Sequence, residues 1–334
     1  MNPAKEHPLI SVALMTYNQE KYVKEALLSI LNQTYDNLEI IVSDDCSKDG
    51  TWNIIESEVE IYQHNGGRHN RIILNRNKTN LGVAKHFELI LSKCHGELVV
   101  CQAGDDVSLP QRIEVIAGAL GENPSATIIF HEAIGIDEYG KAIGSGTIHT
   151  SALMPLGAMM AYSRRVYDEF KPISEEGAWE DDIYARRAQM TGDEVQIKKV
   201  LLKYRMGGGG ISSGRDEFRA RRSRVAMGCL ASARQSRLDL EYYKGKLTAE
   251  KYTRILQDIG RYEKWYGAEY DFYNTHSWLV RFRAFNVLNR GTSKLVYLKK
   301  FIKTMLPCWV SKCLVPLVRG VKPVWGYYTK RSGS

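Results

Sequence analysis

LEIIVSDDCSKDGTWNIIESEVEIYQ, residues 38–63, carries the pattern that decides the fold. A β-branched apolar run from Leu38 to Val42 ends at two adjacent carboxylates, Asp44 and Asp45. A Ser-Lys-Asp-Gly turn then opens a segment whose apolar residues recur at helical spacing. Asp49-Gly50 marks the helix start. The same unit recurs on both sides. Upstream, LISVALM (Leu9 to Met15) precedes Tyr22, Val23, Ala26, Leu27, Ile30 and Leu31 at helical spacing. Downstream, Arg71 to Leu74 precedes a helix with Val83, Phe87, Ile90, Leu91 and Cys94 on one face, and Leu98 to Cys101 supplies a fourth buried run. Gly82 and Pro110 mark further helix starts. Strands alternating with helices need crossover connections, which give a parallel sheet covered on both faces. The expectation is an α/β, Rossmann-like domain with a mostly parallel central sheet.

Beyond about residue 125 the alternation weakens. ATIIFHEA followed by DEYG predicts an antiparallel excursion, and the small-residue stretch PLGAMMAYS, before a helix near Arg164, is where an acceptor pocket is expected. The glycine run Gly207 to Gly210 reads as a mobile lid or an interdomain linker. Arg215 to Arg237 is arginine-dense with helical period, and the Tyr- and Trp-rich stretch to Asn289 continues it as a helical appendage. Residues 1–208 are therefore expected to form the nucleotide-binding and catalytic domain, and 209–334 a smaller helical C-terminal region.

The 334 residues are 44% apolar, which suits a globular chain and argues against disorder. A formal charge of +8 points to an anionic partner: nucleic acid, a phosphorylated metabolite or a membrane surface. Nucleic acid is not expected, because no groove-reading motif or stacking platform accompanies the arginine-dense helix. Six cysteines without a CxxC pair read as small buried side chains in a reducing compartment. The opening MNPAKEHPLISVALM has no secretory-signal pattern, so a cytoplasmic location is expected. His7, His69, His95 and His149 have no ligand-like spacing and read as surface residues; His86 and His131 lie nearer the acidic clusters.

Three acidic clusters carry the functional signal. Asp44-Asp45 also suits an ordinary strand-to-helix turn, but Thr16-Tyr17-Asn18 follows the first strand and offers a nest beside an acceptor for a base N–H, which suits a pyrimidine. Asp105-Asp106, after Gly104 and the run ELVVCQAG, repel one another unless a cation intervenes, and oxygen donors suit Mg2+ or Mn2+ shared with substrate phosphates. Glu180-Asp181-Asp182 complements a helix dipole and has Arg186 and Arg187 within pairing reach, yet three acids after Gly-Ala-Trp also supply a general base.

PLISVALMTYNQEKYVKEALLSILNQTYDNLEIIVSDDCSKDGT (residues 8–51) resembles the opening of family 2 glycosyltransferases with a GT-A fold. NLGVAKHFELILSKCHGELVVCQAGDDVSLPQR is similar to the segment carrying that family's DxD variant, and GAWEDDIYARRA to its ED base motif, so the likeness spans roughly the first 205 residues. It implies an inverting transfer from a nucleotide-diphosphate sugar, expected to be UDP-linked. Thr16, Tyr17, Asn18, Asp44, Asp45 and Arg205 would lie on the donor, with Asp44 or Asp45 facing the base. Asp106 with Asp105 would hold Mg2+ or Mn2+, Asp105 also lying near the sugar or ribose. Asp181 would be the base, with Asp182 its neighbour and Glu180 in the same run. Ala103 replaces the first Asp of the DxD pattern, and Met206 stands where relatives often place a His, so fewer protein ligands would hold the metal. The QxxRW motif of processive synthases is absent, which favours single-sugar addition. A catalytically inactive nucleotide-sugar-binding scaffold is the alternative.

The tail, residues 294–331, mixes Lys299, Lys300, Lys303, Lys312, Arg319 and Lys322 with aromatic and apolar residues and has no acid. It is too interrupted to span a bilayer and predicts a peripheral place on an anionic membrane, with Trp309, Trp325 and Tyr327 at headgroup depth; packing of a terminal helix on the domain is the competing expectation. With the resemblance, this implies a lipid-linked saccharide acceptor in surface glycan assembly of the O-antigen or capsule type, on the inner face of the cell membrane.

Overall fold

A computed structural model describes residues 7–68, 71–152, 155–206 and 218–291, with 297, 300, 301 and 305 beyond them. The expected units follow one another as β1 (Ile10–Thr16), α1 (Val23–Leu31), β2 (Leu38–Asp44), α2 (Thr51–His64), β3 (Arg71–Arg76), α3 (Val83–Leu91) and β4 (Leu98–Ala103). All three pairings here are parallel: β1 lies between β2 and β4, and β3 flanks β2. The chain runs outward from β1 to β3 and then returns to place β4 on the other side of β1. That reversal makes a switch point, and in open α/β sheets ligands bind outside the carboxyl ends of the strands there.

Burial explains why these strands are unbroken apolar runs. Val12 and Leu14 face α1 and α2, packing with Val23, Leu27, Ile55 and Val59. Ala13 and Val99 face the opposite layer, with Phe87 and Ile90 of α3. A strand covered on both faces has no polar alternation to show.

The second half continues as β5 (Val107–Ser108), α4 (Arg112–Glu122), β6 (Ala126–Ile136), β7 (Ala142–Ile148), β8 (Met160–Ser163), α5 (Arg165–Asp168), α6 (Glu180–Thr191) and β9 (Asp193–Arg205). β6 and β7 form the expected antiparallel excursion, turning where the Asp137 amide donates to the Lys141 carbonyl at 2.8 Å. β8 wedges antiparallel between β4 and β6, while β9 runs parallel to β6 and antiparallel to β5. The described sheet has nine strands, ordered β3-β2-β1-β4-β8-β6-β9-β5 with β7 beside β6, so it is parallel in its first half and mixed in its second. The helix expected near Arg164 is a single turn, α5.

Three long helices follow: α7 (Phe218–Tyr243), α8 (Ala249–Asn274) and α9 (Trp278–Leu288). Thr248 caps α8 by accepting the Lys251 amide. α7 docks on α6 through a buried ion pair in which Arg187 Nε donates to Asp239 at 2.7 Å. The Gly207 to Gly210 run and the 208/209 boundary lie outside the described residues. Of the tail, Tyr297, Phe301 and Met305 pack with Phe285 of α9; its remaining apolar and aromatic residues lie outside the described set. Among the described residues no helix is long and apolar enough to cross a membrane.

Candidate active site

Register brings the sequence motifs to one edge. Thr16 is paired with Asp44, and Met15 with Ala103, so the chain leaves β1, β2 and β4 at the same height. The Thr16 hydroxyl donates toward the Ser43 carbonyl and Asp44 Oδ1, both at 3.2 Å. Asn18, in the left-handed region at φ 52°, accepts the Lys48 amide at 2.8 Å while its own amide donates to Ser47 at 2.8 Å. Tyr17 stays exposed above this clasp. Gly104 packs so tightly that a Cβ there would lie 2.4 Å from Gln19 Oε1 and 2.8 Å from Thr16 Cγ2. Only glycine lets the loop after β4 approach the loop after β1 this closely.

Asp44 and Asp45 are buried and fully engaged. Asp44 accepts the Ser47 amide at 2.9 Å and the Ser47 hydroxyl, with Arg76 Nε 3.7 Å away. Asp45 accepts from Asn77 at 2.8 Å and from the Leu81 and Gly82 amides at 2.9 and 3.0 Å. The second carboxylate therefore clamps the loop that leads into α3.

Asp105 and Asp106 are equally buried and differently treated. Asp106 Oδ1 accepts the Arg205 amide at 2.7 Å, but its Oδ2 is buried with no hydrogen-bond partner among the described residues. Burial, then the charge of Asp105, pushes its carboxyl up to about 8, and burial raises Asp105 too. Arg205 braces the pair from β9: Nε donates to the Asp105 carbonyl at 2.8 Å, Nη1 to the Asp137 carbonyl at 2.8 Å, and Nη2 to Glu25 at 2.6 Å. Every guanidinium nitrogen thus has a protein acceptor, and the plane lies 4.7 Å over the Tyr22 ring.

An orphaned, desolvated carboxylate oxygen beside a second carboxylate fits a hard divalent cation such as Mg2+ or Mn2+. The described residues offer no group of three or more His, Cys, Asp or Glu side chains able to hold a metal ion. Asp105 and Asp106 are the two side chains at this loop that would hold such an ion.

The third cluster opens α6, with Trp179 as an extended N-cap and all three acids in the first turn. Their side chains diverge. Asp181 accepts the Gly157 amide, and a Cβ on Gly157 would lie 3.5 Å from Glu180 Oε1 and 3.6 Å from Asp181 Cβ, so these two acids adjoin the segment ahead of β8. Asp182 turns away to α7 and α8, where the Tyr262 hydroxyl donates to it and Ser232 and Cys229 reach it. Burial raises Glu180 to about 7 and Asp182 to about 6; Asp181 is raised by burial and then by the charges of Glu180 and Asp182. The local pairing of these acids with Arg186 and Arg187 is not the arrangement found: Arg187 binds Asp239, and Arg186 donates to Gln189 at 3.0 Å.

Arg112, which the sequence did not single out, joins the clusters. Fully buried, it donates from Nη2 to the Cys101 and Ala158 carbonyls at 2.9 and 2.6 Å, and from Nη1 to Gln102 at 2.8 Å. Gln102 in turn donates to the Asp106 carbonyl at 2.8 Å, and Ala158 adjoins the Gly157 that contacts Asp181. Arg112 Nε also donates to His131 Nε2 at 3.0 Å, which leaves the His131 proton on Nδ1 facing the Glu132 carbonyl. One signal was available: a cation in the first turn of a helix opposes the dipole, so it needs a compensating partner.

The model of the family described as Glycosyl transferase family 2 matches residues 11–170. An uncharacterized glycosyltransferase of Haemophilus influenzae is 31% identical over 228 residues, covering 62% of this chain and 68% of that protein. The putative glycosyltransferase EpsE of Bacillus subtilis is 35% identical over 133 residues, 40% of this chain and 46% of EpsE, so the match spans less than half of that relative. Among solved structures, the mannosyltransferase PcManGT of Pyrobaculum calidifontis, in complex with GDP-Man and Mn2+, superposes at a TM-score of 0.59 with 16% identity over 95% of this chain and 86% of that one. S. aureus TarS 1–349, in complex with UDP-GlcNAc, does so at 0.56 with 20% identity over 92% of this chain and 86% of that one. At these identities the likeness is one of fold.

Proposed function

The chain belongs to glycosyltransferase family 2, and we propose that it moves one sugar, with inversion, from a nucleotide-diphosphate donor to a hydroxyl of a lipid-linked saccharide in surface-glycan assembly. The observation that carries this reading is the orphaned Oδ2 of Asp106 at the switch point, beside Asp105 and joined through Arg112 to the segment that meets Asp181. The Thr16-Tyr17-Asn18 clasp and the Asp44-Asp45 turn shape the donor base pocket, for which uridine is the proposed base. Asp105 and Asp106 would hold Mg2+ or Mn2+, which when bound offsets negative charge on the departing diphosphate. Arg205 holds the acidic loop in place for that task.

An in-line displacement needs a base on the side opposite the leaving group. We assign that base to Asp181, whose carboxylate adjoins Gly157 ahead of β8, whereas Asp182 accepts from Tyr262. A carboxyl raised by burial is also a stronger base than a solvated one. The basic tail, residues 294–331, supports a peripheral position on the inner face of the membrane, where a lipid-linked acceptor resides.

Isotope-labelled transfer from a panel of nucleotide sugars, preceded by a thermal-shift screen with and without manganese, tests the reading. One donor is expected to stabilise the protein and to turn over. Donor binding without transfer or hydrolysis would instead make the chain an inactive scaffold of an assembly complex. A folded protein that binds no donor would overturn both.

A further inference from the structure

Arg112 is the first residue of α4 and is fully buried. Each of its five N–H donors has an acceptor. Nε donates to His131, Nη1 to Gln102 at 2.8 Å and to the Ser108 hydroxyl at 2.9 Å, and Nη2 to the Cys101 and Ala158 carbonyls. These acceptors come from β4, β5, β6 and the turn Gly157–Met159 ahead of β8, and all five are neutral. Desolvating a cation is costly, so a buried arginine is ordinarily matched by a carboxylate. Here the fork serves geometry instead.

Two of these links lead to the acids assigned above. On one side stands Gln102. Its Oε1 accepts from Arg112 and from the Ser108 hydroxyl at 2.7 Å, and its Nε2 donates to the carbonyls of Ala103 at 3.0 Å and Asp106 at 2.8 Å. Both ends of the stretch containing Gly104 and Asp105 are thereby held. On the other side the Ala158 carbonyl accepts from Arg112 at 2.6 Å, and the amide of the preceding Gly157 donates to Asp181. One planar group thus lies between the backbone that carries Asp106 and the backbone that meets Asp181. Because a guanidinium holds its donors in a fixed plane, a shift of either segment breaks bonds that also hold the other.

We propose that Arg112 is a positioning residue for sugar transfer, setting the separation between the loop that would hold the cation and the base; this rests on the roles proposed for Asp106 and Asp181. Full burial keeps Arg112 from the substrates, so it acts only through the two segments it joins. An acceptor hydroxyl has to fit between the base and the anomeric carbon, and a misplacement of about 1 Å can lower such a reaction by about 10²-fold. Attack by water is less sensitive, because water can approach the donor in many orientations.

Arg112→Lys tests the assignment in the full chain, since it keeps the charge and loses the planar fork. Turnover of the labelled donor selected by the nucleotide-sugar panel is followed with transferred and hydrolysed sugar counted separately. The ratio of transfer to hydrolysis is expected to fall about tenfold or more. Calorimetric titration with that donor's nucleoside diphosphate, in the presence of Mn2+, should give an affinity within about threefold of the parent. An arginine that only stabilised the fold would lower both products together and reduce the number of binding sites. If Arg112→Lys fails to fold, Gln102→Met cuts the link to the Asp106 loop with a neutral side chain of similar size and should move the ratio the same way. An unchanged ratio in a folded variant, or nucleotide affinity falling as far as turnover, overturns the inference and leaves the transferase reading standing. A wild-type chain that turns over no donor ends the transferase reading and the inference with it.

Discussion

Two acidic pairs end neighbouring strands of the same sheet, and the protein treats them in opposite ways. Asp44-Asp45 after β2 and Asp105-Asp106 after β4 are all at most 8% exposed. The first pair is saturated: Ser47, Asn77 and the Leu81 and Gly82 amides occupy its oxygens. The second keeps Asp106 Oδ2 without a partner, and its carboxyl is pushed up to about 8. A buried polar atom left unsatisfied costs free energy, and beside a second carboxylate it is a natural place for a cation to bind. Under the proposed function, the satisfied acids shape the loops around the donor and the unsatisfied oxygen is the one left for a ligand.

The Glu180-Asp181-Asp182 run divides by direction within one turn of helix, Asp181 toward Gly157 and Asp182 toward Tyr262, which gives the largest expected effect. Asp181→Asn removes the proposed base and should lower transfer by about 10²- to 10⁴-fold while donor affinity stays unchanged. Asp182→Asn removes the carboxylate engaged by Tyr262 and should lose stability before activity. A pre-steady-state transfer assay beside donor titration distinguishes them; an active Asp181→Asn enzyme moves the base to Asp182 or Glu180.

Asp106→Asn comes next. Losing the ionic oxygen should cost roughly 10²-fold in turnover, equivalent to about 2.7 kcal/mol. The melting temperature without ligands should hold or rise, because the substitution removes a desolvated acid that lacks a protein partner. A clear fall in melting temperature would place Asp106 with the structural pair and break the contrast.

Asp45→Ala should do the reverse. It strips the acceptor from Asn77 and two loop amides and should lower stability by about 1–3 kcal/mol in denaturant unfolding. A variant as stable as its parent but deficient in donor binding would class Asp45 with the ligand-holding acids.

The parallel half of the fold was legible because strands buried on both faces are unbroken apolar runs, and glycine or proline punctuates their helices. The second half was less so. Nothing local in Met160–Ser163 says that β8 inserts antiparallel between β4 and β6; the partners fix it. The three acidic clusters stood out as composition, yet which acids are free depends on distant residues. Tyr262 is 80 positions from Asp182, and Arg205 is 99 from Asp106. Arg112 was missed because its partners, Gln102, Ala158 and His131, come from three separate strands and loops.

Glu180 supplies the smallest effect and the sharpest use of pH. Burial first, and then the charge of Asp182, raises its carboxyl from 4.5 to about 7. An acid whose folded value lies above its unfolded one favours the folded state while protonated. That contribution is fully present below about 4.5 and fades as pH rises through about 7. Glu180→Gln cannot ionise and should be spared this loss. Against the parent, its melting temperature should gain on the order of a few degrees between pH 5 and pH 7.5. Melting curves of both proteins across that range measure the difference. A pH-independent offset would show that Glu180 is solvated in the folded state.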